Sequence, residues 1–357
     1  MFINIKPLDV ANRRGCPDEF SFGATFSDHM FTQEYAAGKG WHNAEVTPYH
    51  TLSLDPSAAV LHYSQEIFEG LKAYRNPNGN INLFRPLENC RRFNRSAERM
   101  VMPTVDENFH LEALKALIKL DHAFVPDKPG ASLYIRPTMI ATSPKLGLGA
   151  SKSYLHFIIT GPAGAYFQGG FNPISVCIAN KYRRAVAGGV GEAKTGGNYA
   201  ASLYASEEAA KKGFSQVLWL DAIEGRYIEE VGAMNICFVY EGKTIVTPSL
   251  SGSILPGITR NSILQLAPTL GYDVSEQRLD VNQIVDDIKS GKITECFGCG
   301  TAAVISPVGS LSYMDEDYVI NDNQTGTVSQ HLYDHLTGIQ YGTIADPFDW
   351  IVEVPVK

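Results

Sequence analysis

The chain lacks any apolar run approaching the roughly 18 residues that span a bilayer, and Met1 to Pro7 holds no extended apolar stretch of the kind that opens a secretory leader. Those absences lead to the expectation of a soluble, cytoplasmic protein. Positive charge is also in deficit. With 30 Lys and Arg against 38 Asp and Glu, the net charge is -8, whereas a nucleic-acid-binding face normally needs a basic excess. Small molecules, not nucleic acid or membrane, are therefore the expected partners. Cysteine is sparse and scattered, at positions 16, 90, 177, 237, 296 and 299, which speaks against a disulfide framework. Only Cys296 and Cys299 form a CxxC; without a second pair or a histidine cluster, it reads as a buried thiol pair at a strand end. His331 and His335 lack the glutamate of a zinc-protease helix, so no metal site is expected. No GxxxxGK or GxGxxG opens a helix for a nucleotide, and there is no internal repeat.

What is present is an ordinary globular composition, 44% hydrophobic and 19% charged over 357 residues, long enough for about two domains. The runs Ile81 to Arg85, Ser132 to Ala141 and Tyr154 to Gly161 are β-rich, while Leu87 to Met100 and Glu107 to His122 have helical periodicity. Gly161 to Pro173 concentrates glycine and proline and marks the boundary: domain 1–161, interdomain loop 162–173, domain 174–357. Tyr166 and Phe167 make that loop unusually aromatic for a linker, suited to folding over a ligand cleft. Beyond it, strands are expected at Ile174 to Ala179, Gln216 to Asp221, Met234 to Tyr240, Thr244 to Thr247 and Ile293 to Phe297.

The chemistry starts at Lys194, set among Gly188, Gly189, Gly191, Gly196 and Gly197 just before a helix with Asn198 as its expected N-cap and Gly213 as its stop. A lysine shielded from water becomes a nucleophile, and glycines let the backbone approach a bound group. Pro256-Gly257-Ile258-Thr259 opens another helix, whose first N–H groups suit a phosphate, and Gly298-Cys299-Gly300-Thr301 offers a second set of amides. Arg92, Arg95 and Arg99 recur at helical spacing, so one of them is expected to face inward. Glu229 and Glu230 stand before a hydrophobic strand, with one expected to be buried. Anchor lysine, phosphate cradle and a carboxylate for a pyridine nitrogen together describe a site for pyridoxal 5'-phosphate.

These residues resemble the branched-chain amino acid aminotransferases, the fold-type IV pyridoxal phosphate enzymes of mixed α/β architecture. The resemblance runs through Phe22 to Met30, Leu61 to Ala73, Leu83 to Pro86 with Arg92 and Arg95 to Ala97, Leu133 to Pro137, Gly164 to Phe167, the Lys194 segment, Gln216 to Leu220, Glu230 to Asn235, Leu255 to Gly257, and Phe297 to Ala302. It implies a homodimer whose subunit has a smaller N-terminal and a larger C-terminal domain with the cofactor between them. Lys194 would carry the cofactor as an aldimine and act as the catalytic base. Glu230 would pair with the pyridine nitrogen, Tyr199 would lie beside the ring hydroxyl, and Arg92, Ile258, Thr259 and Thr301 would hold the phosphate. Substrate would meet Phe22, Tyr63, Phe68, Tyr134, Tyr166 and Ala302, with Leu148 reaching in from the partner subunit and Arg136 favouring the second carboxylate of glutamate. The expected reaction moves the amino group of L-leucine, L-isoleucine or L-valine to 2-oxoglutarate.

Two positions depart from the pattern. Ala233 stands where some relatives have a threonine that helps bind the substrate carboxylate, and Ala303 and Ser306 stand where some carry a redox CxxC. Alternatives left open by the sequence are another fold-type IV enzyme, such as a D-amino acid aminotransferase or an aminodeoxychorismate lyase, and a catalytically silent pyridoxal phosphate carrier.

Overall fold

The computed structural model describes residues 2–164 and 171–356. Tyr166 and the middle of the expected interdomain loop lie outside the described residues. The chain forms two compact units, one of Met1–Tyr166, Ala193–Gly196 and Gly338–Lys357, the other of Phe167–Glu192 and Gly197–Thr337. Lys194 thus belongs to the first unit, as does the C-terminal segment.

In the first unit the strands are β1 (Asn4–Ile5), β2 (His29–Ala36), β3 (Gly40–Pro48), β4 (Glu66–Phe68), β5 (Leu71–Arg75), β6 (Ile81–Phe84), β7 (Ser132–Ala141) and β8 (Ser153–Ala163). They lie in the order β1-β3-β2-β8-β7-β5-β6, with β4 on β7 and the C-terminal strand Ile351–Val354 at the edge beyond β6. Alternation along a strand sends neighbours to opposite faces. One face, with Phe31, Leu71, Ala73, Leu133, Ile135 and Ile158, is buried against Leu111, Leu114, Leu117 and Ile118; these last come from α3 (Glu107–Leu120), which follows α1 (Ala59–Tyr63) and α2 (Pro86–Arg99). The other face carries Phe68, Lys72, Tyr134 and Arg136, the out-of-phase residues of β4, β5 and β7. Pro86 opens α2 at its first turn, and Asp106 caps α3 by accepting the Phe109 N–H at 2.8 Å.

Under β8 the core contains two histidines, His110 of α3 and His156, with ring centroids 4.7 Å apart. Burial pushes His110 down to about 4 against some opposition from Glu69, and pushes His156 well down, with His110 adding to it. The unfolded chain has the higher histidine pKa, about 6.5, so it takes up protons first as pH falls. Stability from this pair is complete above about pH 6.5 and drains by a few kcal/mol as pH falls toward 4. Urea midpoints at pH 7.5 and 5.0 are expected to differ less in His110→Phe than in the wild type. An equal drop in both would assign the acid lability elsewhere.

The second unit contains β9 (Ile174–Ile178), β10 (Gln216–Leu220), β11 (Ile228–Val231), β12 (Met234–Tyr240), β13 (Thr244–Pro248), β14 (Asp273–Gln277), β15 (Ile293–Gly300), β16 (Val304–Tyr313) and β17 (Glu316–Val319). Their order is β11-β10-β9-β16-β15-β12-β13-β14, and β11 pairs back onto β12, closing a ring around Val176, Leu218, Val231, Ile236, Phe238 and Leu311. Helices α4 (Gly196–Lys211), α5 (Ile258–Thr269), α6 (Val281–Lys289) and α7 (Thr327–Tyr341) complete the chain's described elements of this kind.

Several expectations change here. Asn198 is not an N-cap but lies inside α4, where its amide donates to the Val190 carbonyl at 2.8 Å. Gly213, at φ +88°, does follow the helix end. Glu229 and Glu230 are both buried, and both lie within a strand, β11, whose turn into β12 uses Gly232 at φ +56°. The CxxC is not a unit: in β15, Cys296 and Cys299 are three residues apart on an extended strand and point to opposite faces. Cys296 joins the core, whereas Cys299 shares a thiol hydrogen bond with Cys237 of β12. Burial pushes the Cys296 thiol well up, which leaves it protonated and inert.

Candidate active site

In the first unit, the backbone of Lys194 is held on both sides. Its N–H donates to Ser96 Oγ at 2.9 Å, and its carbonyl accepts the Phe68 N–H at 3.0 Å. Thr195 donates its hydroxyl to the Glu66 carbonyl at 2.8 Å, and Glu66 Oε1 accepts the Gly196 N–H. A Cβ at position 196 would collide with that same carboxylate, so any side chain here would have to displace it. The ammonium group of Lys194 lies 4.8 Å from the centroid of the Phe68 ring, and the Arg136 guanidinium lies 4.6 Å from the same centroid. Arg136 also donates to the Tyr134 hydroxyl at 2.9 Å, and Phe22 meets Tyr134 edge-on at 5.0 Å. Lys194, Phe68, Arg136, Tyr134 and Phe22 therefore form one continuous cluster, with aliphatic-compatible rings surrounding a single permanent cation.

One turn of α2 before Ser96 sits Arg92, the inward-facing member of its arginine series; Arg95 and Arg99 are exposed. Arg92 is clamped by a residue that spacing did not reveal. Glu69, fully buried, accepts from Arg92 Nε at 2.7 Å and Nη2 at 2.9 Å, from Asn89 at 2.7 Å and from the Gly70 N–H at 3.1 Å. Burial works to raise the Glu69 carboxyl, but the Arg92 guanidinium outweighs it and the group is held below the usual carboxylate range, with Lys194 contributing. Such a bidentate pair fixes the plane of the guanidinium. Glu69→Gln keeps the size but loses the charge, so cofactor affinity is expected to fall about tenfold, with the apo protein destabilised by about 1–3 kcal/mol. Equilibrium dialysis and thermal unfolding check both numbers. Unchanged affinity would leave Glu69 with a purely structural role.

Tyr63 donates its hydroxyl to the Leu146 carbonyl. Leu146 and Leu148 stand out from that loop, Leu148 at 83% exposure. Both leucines leave apolar surface uncovered in the single chain.

In the second unit, the β11–β12 ladder sets Glu230 opposite Asn235. Glu230 Oε2 pairs with Arg184 Nη2 at 2.6 Å, while Oε1 accepts from Asn235 Nδ2 and the Leu255 N–H, each at 3.2 Å. Arg184 itself is tied to the Ser253 carbonyl. Asn235 also donates to the Leu255 carbonyl at 3.0 Å, and a Cβ on Gly257 would collide with its Oδ1. The carboxylate is thereby locked to the entry of α5, where the first-turn N–H groups of Ile258 and Thr259 have no acceptor within the helix. Across the ladder, Asn235 pairs with Cys299, two residues before the Thr301-Ala302 turn. Tyr199 is half-buried in the first turn of α4. The neighbouring Glu229 accepts from Ser253 Oγ, and burial pushes its carboxyl up.

In the first unit a buried arginine held in plane and a lysine gripped by its backbone, and in the second unit first-turn amides and a carboxylate paired with Arg184, are each of a chemical type that a phosphorylated pyridine requires. Arg184 was not legible in the sequence, since nothing in Lys181 to Arg184 marks a partner 46 residues away. Among the described residues no cluster of three or more metal-ligating side chains occurs.

A model of the amino-transferase class IV family matches residues 66–311. Over 338 residues the chain is 51% identical to branched-chain-amino-acid aminotransferase 2 of Bacillus subtilis (strain 168), covering 95% of this chain and 93% of that protein. The crystal structure of the Escherichia coli branched-chain amino acid aminotransferase matches with a TM-score of 0.77 at 27% identity, over 92% of this chain and 99% of that one. A T.th. branched-chain amino acid aminotransferase complexed with N-(5'-phosphopyridoxyl)-L-glutamate matches with a TM-score of 0.74 at 25% identity, over 91% of this chain and 98% of that one. The chain therefore belongs to the class IV aminotransferases, with the mixed α/β fold-type IV architecture. Within that class it is a branched-chain amino-acid aminotransferase, as its near-full-length relatives at about half identity are.

Proposed function

We propose that this transaminase works through pyridoxal 5'-phosphate attached to Lys194, moving the amino group of L-leucine, L-isoleucine or L-valine reversibly to 2-oxoglutarate. The observation that carries the reading is the two-sided grip on the Lys194 backbone, with its amine against Phe68 beside Arg136. The cofactor, when bound, supplies an electron sink that loosens the substrate α-proton. Lys194 Nζ takes that proton and returns it. Glu230, paired with Arg184, would hold the proton of the pyridine nitrogen, and Tyr199 would orient the ring hydroxyl. Arg92, the amides of Ile258 and Thr259, and Thr301 hold the phosphate. Phe22, Tyr63, Phe68 and Tyr134 enclose the aliphatic side chain, the Ala302 amide receives the α-carboxylate, and Arg136 receives the second carboxylate of glutamate. Exposed Leu148 fits a homodimer in which it completes the other subunit's substrate pocket.

The test is the visible spectrum of holoenzyme during addition of L-leucine and then 2-oxoglutarate. The cofactor band is expected to bleach with leucine and return with 2-oxoglutarate, with no response to D-alanine. A response to D-alanine alone would move the chain to the D-amino acid branch.

A further inference from the structure

We propose that Lys72 is a switchable second cation of the substrate face, keeping its proton when the distal carboxylate of glutamate or 2-oxoglutarate binds and releasing it when a branched aliphatic side chain takes the same space. The proposal rests on the substrate assignment made under Proposed function.

Lys72 lies on β5 directly opposite Tyr134 of β7, on the face that also carries Arg136 and Phe68, and is only 7% exposed. The Tyr134 hydroxyl leans over Gly70, where a Cβ would collide with it, and takes its hydrogen bond from Arg136. Tyr134 therefore has one cation two positions along its own strand and another across the ladder. Among the described residues, the other titratable groups that the register places on this face include Glu66 on β4, Tyr74 on β5, Glu34 on β2, Glu45 on β3 and Glu353 on the C-terminal strand, with Tyr341 packed on Tyr74 and Lys194 over Phe68. Glu66 is already engaged by the Gly196 N–H, and burial raises its carboxyl.

A face that binds leucine and glutamate in alternate half-reactions meets opposite electrostatic demands. Two fixed cations would leave uncompensated buried charge under leucine, whereas one alone serves a carboxylate less well. Arginine cannot shed its proton, but lysine can. Burial brings Lys72 down to about 8, so a small push in either direction changes its state. An incoming carboxylate restores the proton; an incoming aliphatic chain, by expelling water beside Arg136, removes it.

Calorimetric titration of the holoenzyme at pH 8, in two buffers of different ionisation enthalpy, tests this with glutarate and with 4-methylvaleric acid, a ligand complexed with the T.th. relative. Glutarate is expected to draw up to about half a proton from solvent and 4-methylvaleric acid to release a comparable amount, the signs fixed by a group near half-titration. Lys72→Met is expected to abolish both proton terms and weaken glutarate about 10- to 100-fold, as for loss of a charged hydrogen bond, without weakening 4-methylvaleric acid. Lys72→Arg, which retains a cation should the methionine variant not fold, is expected to abolish both proton terms, keep glutarate and weaken 4-methylvaleric acid. Proton terms that persist in both variants, or equal weakening of the two ligands in Lys72→Met, would overturn the proposal. Absence of any wild-type spectral response to leucine would instead overturn the substrate assignment on which it rests.

Discussion

Lys194→Ala is expected to lower turnover of leucine with 2-oxoglutarate by at least about 10⁴-fold, because the variant loses both the covalent attachment point and the proton carrier. Ser96 and Phe68 hold backbone atoms of position 194, so the loop is expected to stay in place without the amine, and the variant should remain folded. Borohydride treatment of holoenzyme followed by mass spectrometry is expected to fix the cofactor on the peptide containing Lys194 in the wild type and nowhere in the variant. Turnover surviving near the wild-type rate would remove Lys194 from the mechanism, however well the rest of the site matches.

Glu230→Gln carries the second-largest effect. The carboxylate is buried and pairs with Arg184 at 2.6 Å. An amide in the same place keeps the shape but cannot retain the ring-nitrogen proton with the same strength, and its NH₂ faces either the Arg184 donor or the Leu255 N–H. Slowing of α-proton removal by about 10²- to 10³-fold is expected, the scale of losing one preorganised electrostatic contact. Cofactor binding should persist, because the residues proposed for the phosphate are others. Stopped-flow single turnovers with α-deuterated leucine are expected to show the slower rate with a larger isotope effect. An unchanged rate would strip Glu230 of its role. Arg184 left without its anion is expected to cost stability as well, about 3–5 kcal/mol in the manner of a broken buried pair, so thermal unfolding belongs beside the kinetics.

Much of the fold was visible in one dimension where periodicity was strong. Ser132–Ala141 and Met234–Tyr240 are strands over the expected residues, and α2 presents Arg92 inward while Arg95 and Arg99 face solvent, as one of three was expected to do. Local chemistry also located the α5 entry, because Pro256 and Gly257 are punctuation that acts within a few residues. The CxxC was expected as buried thiols at a strand end, and Cys296 and Cys299 are both buried near the end of β15. A CxxC in a turn brings two sulfurs together, but in the extended β15 the same spacing separates them, and Cys299 instead meets Cys237.

By itself the sequence determined the chemical inventory: one lysine among glycines, a helix entry fit for phosphate, acidic residues before Met234, and a surface charge that suits small molecules over nucleic acid. Ordered motif matches extended this to the family, which the near-full-length relatives bear out. Only the tertiary structure decided which charges face one another. Glu69 with Arg92, Arg184 with Glu230, and Lys72 across from Tyr134 are separated by 23, 46 and 62 positions. Periodicity reports which face of an element is apolar, but not what lies on the element packed against it. A buried charge draws its meaning from that neighbour, through desolvation and pairing, and so its role became legible only once the strands and helices had met.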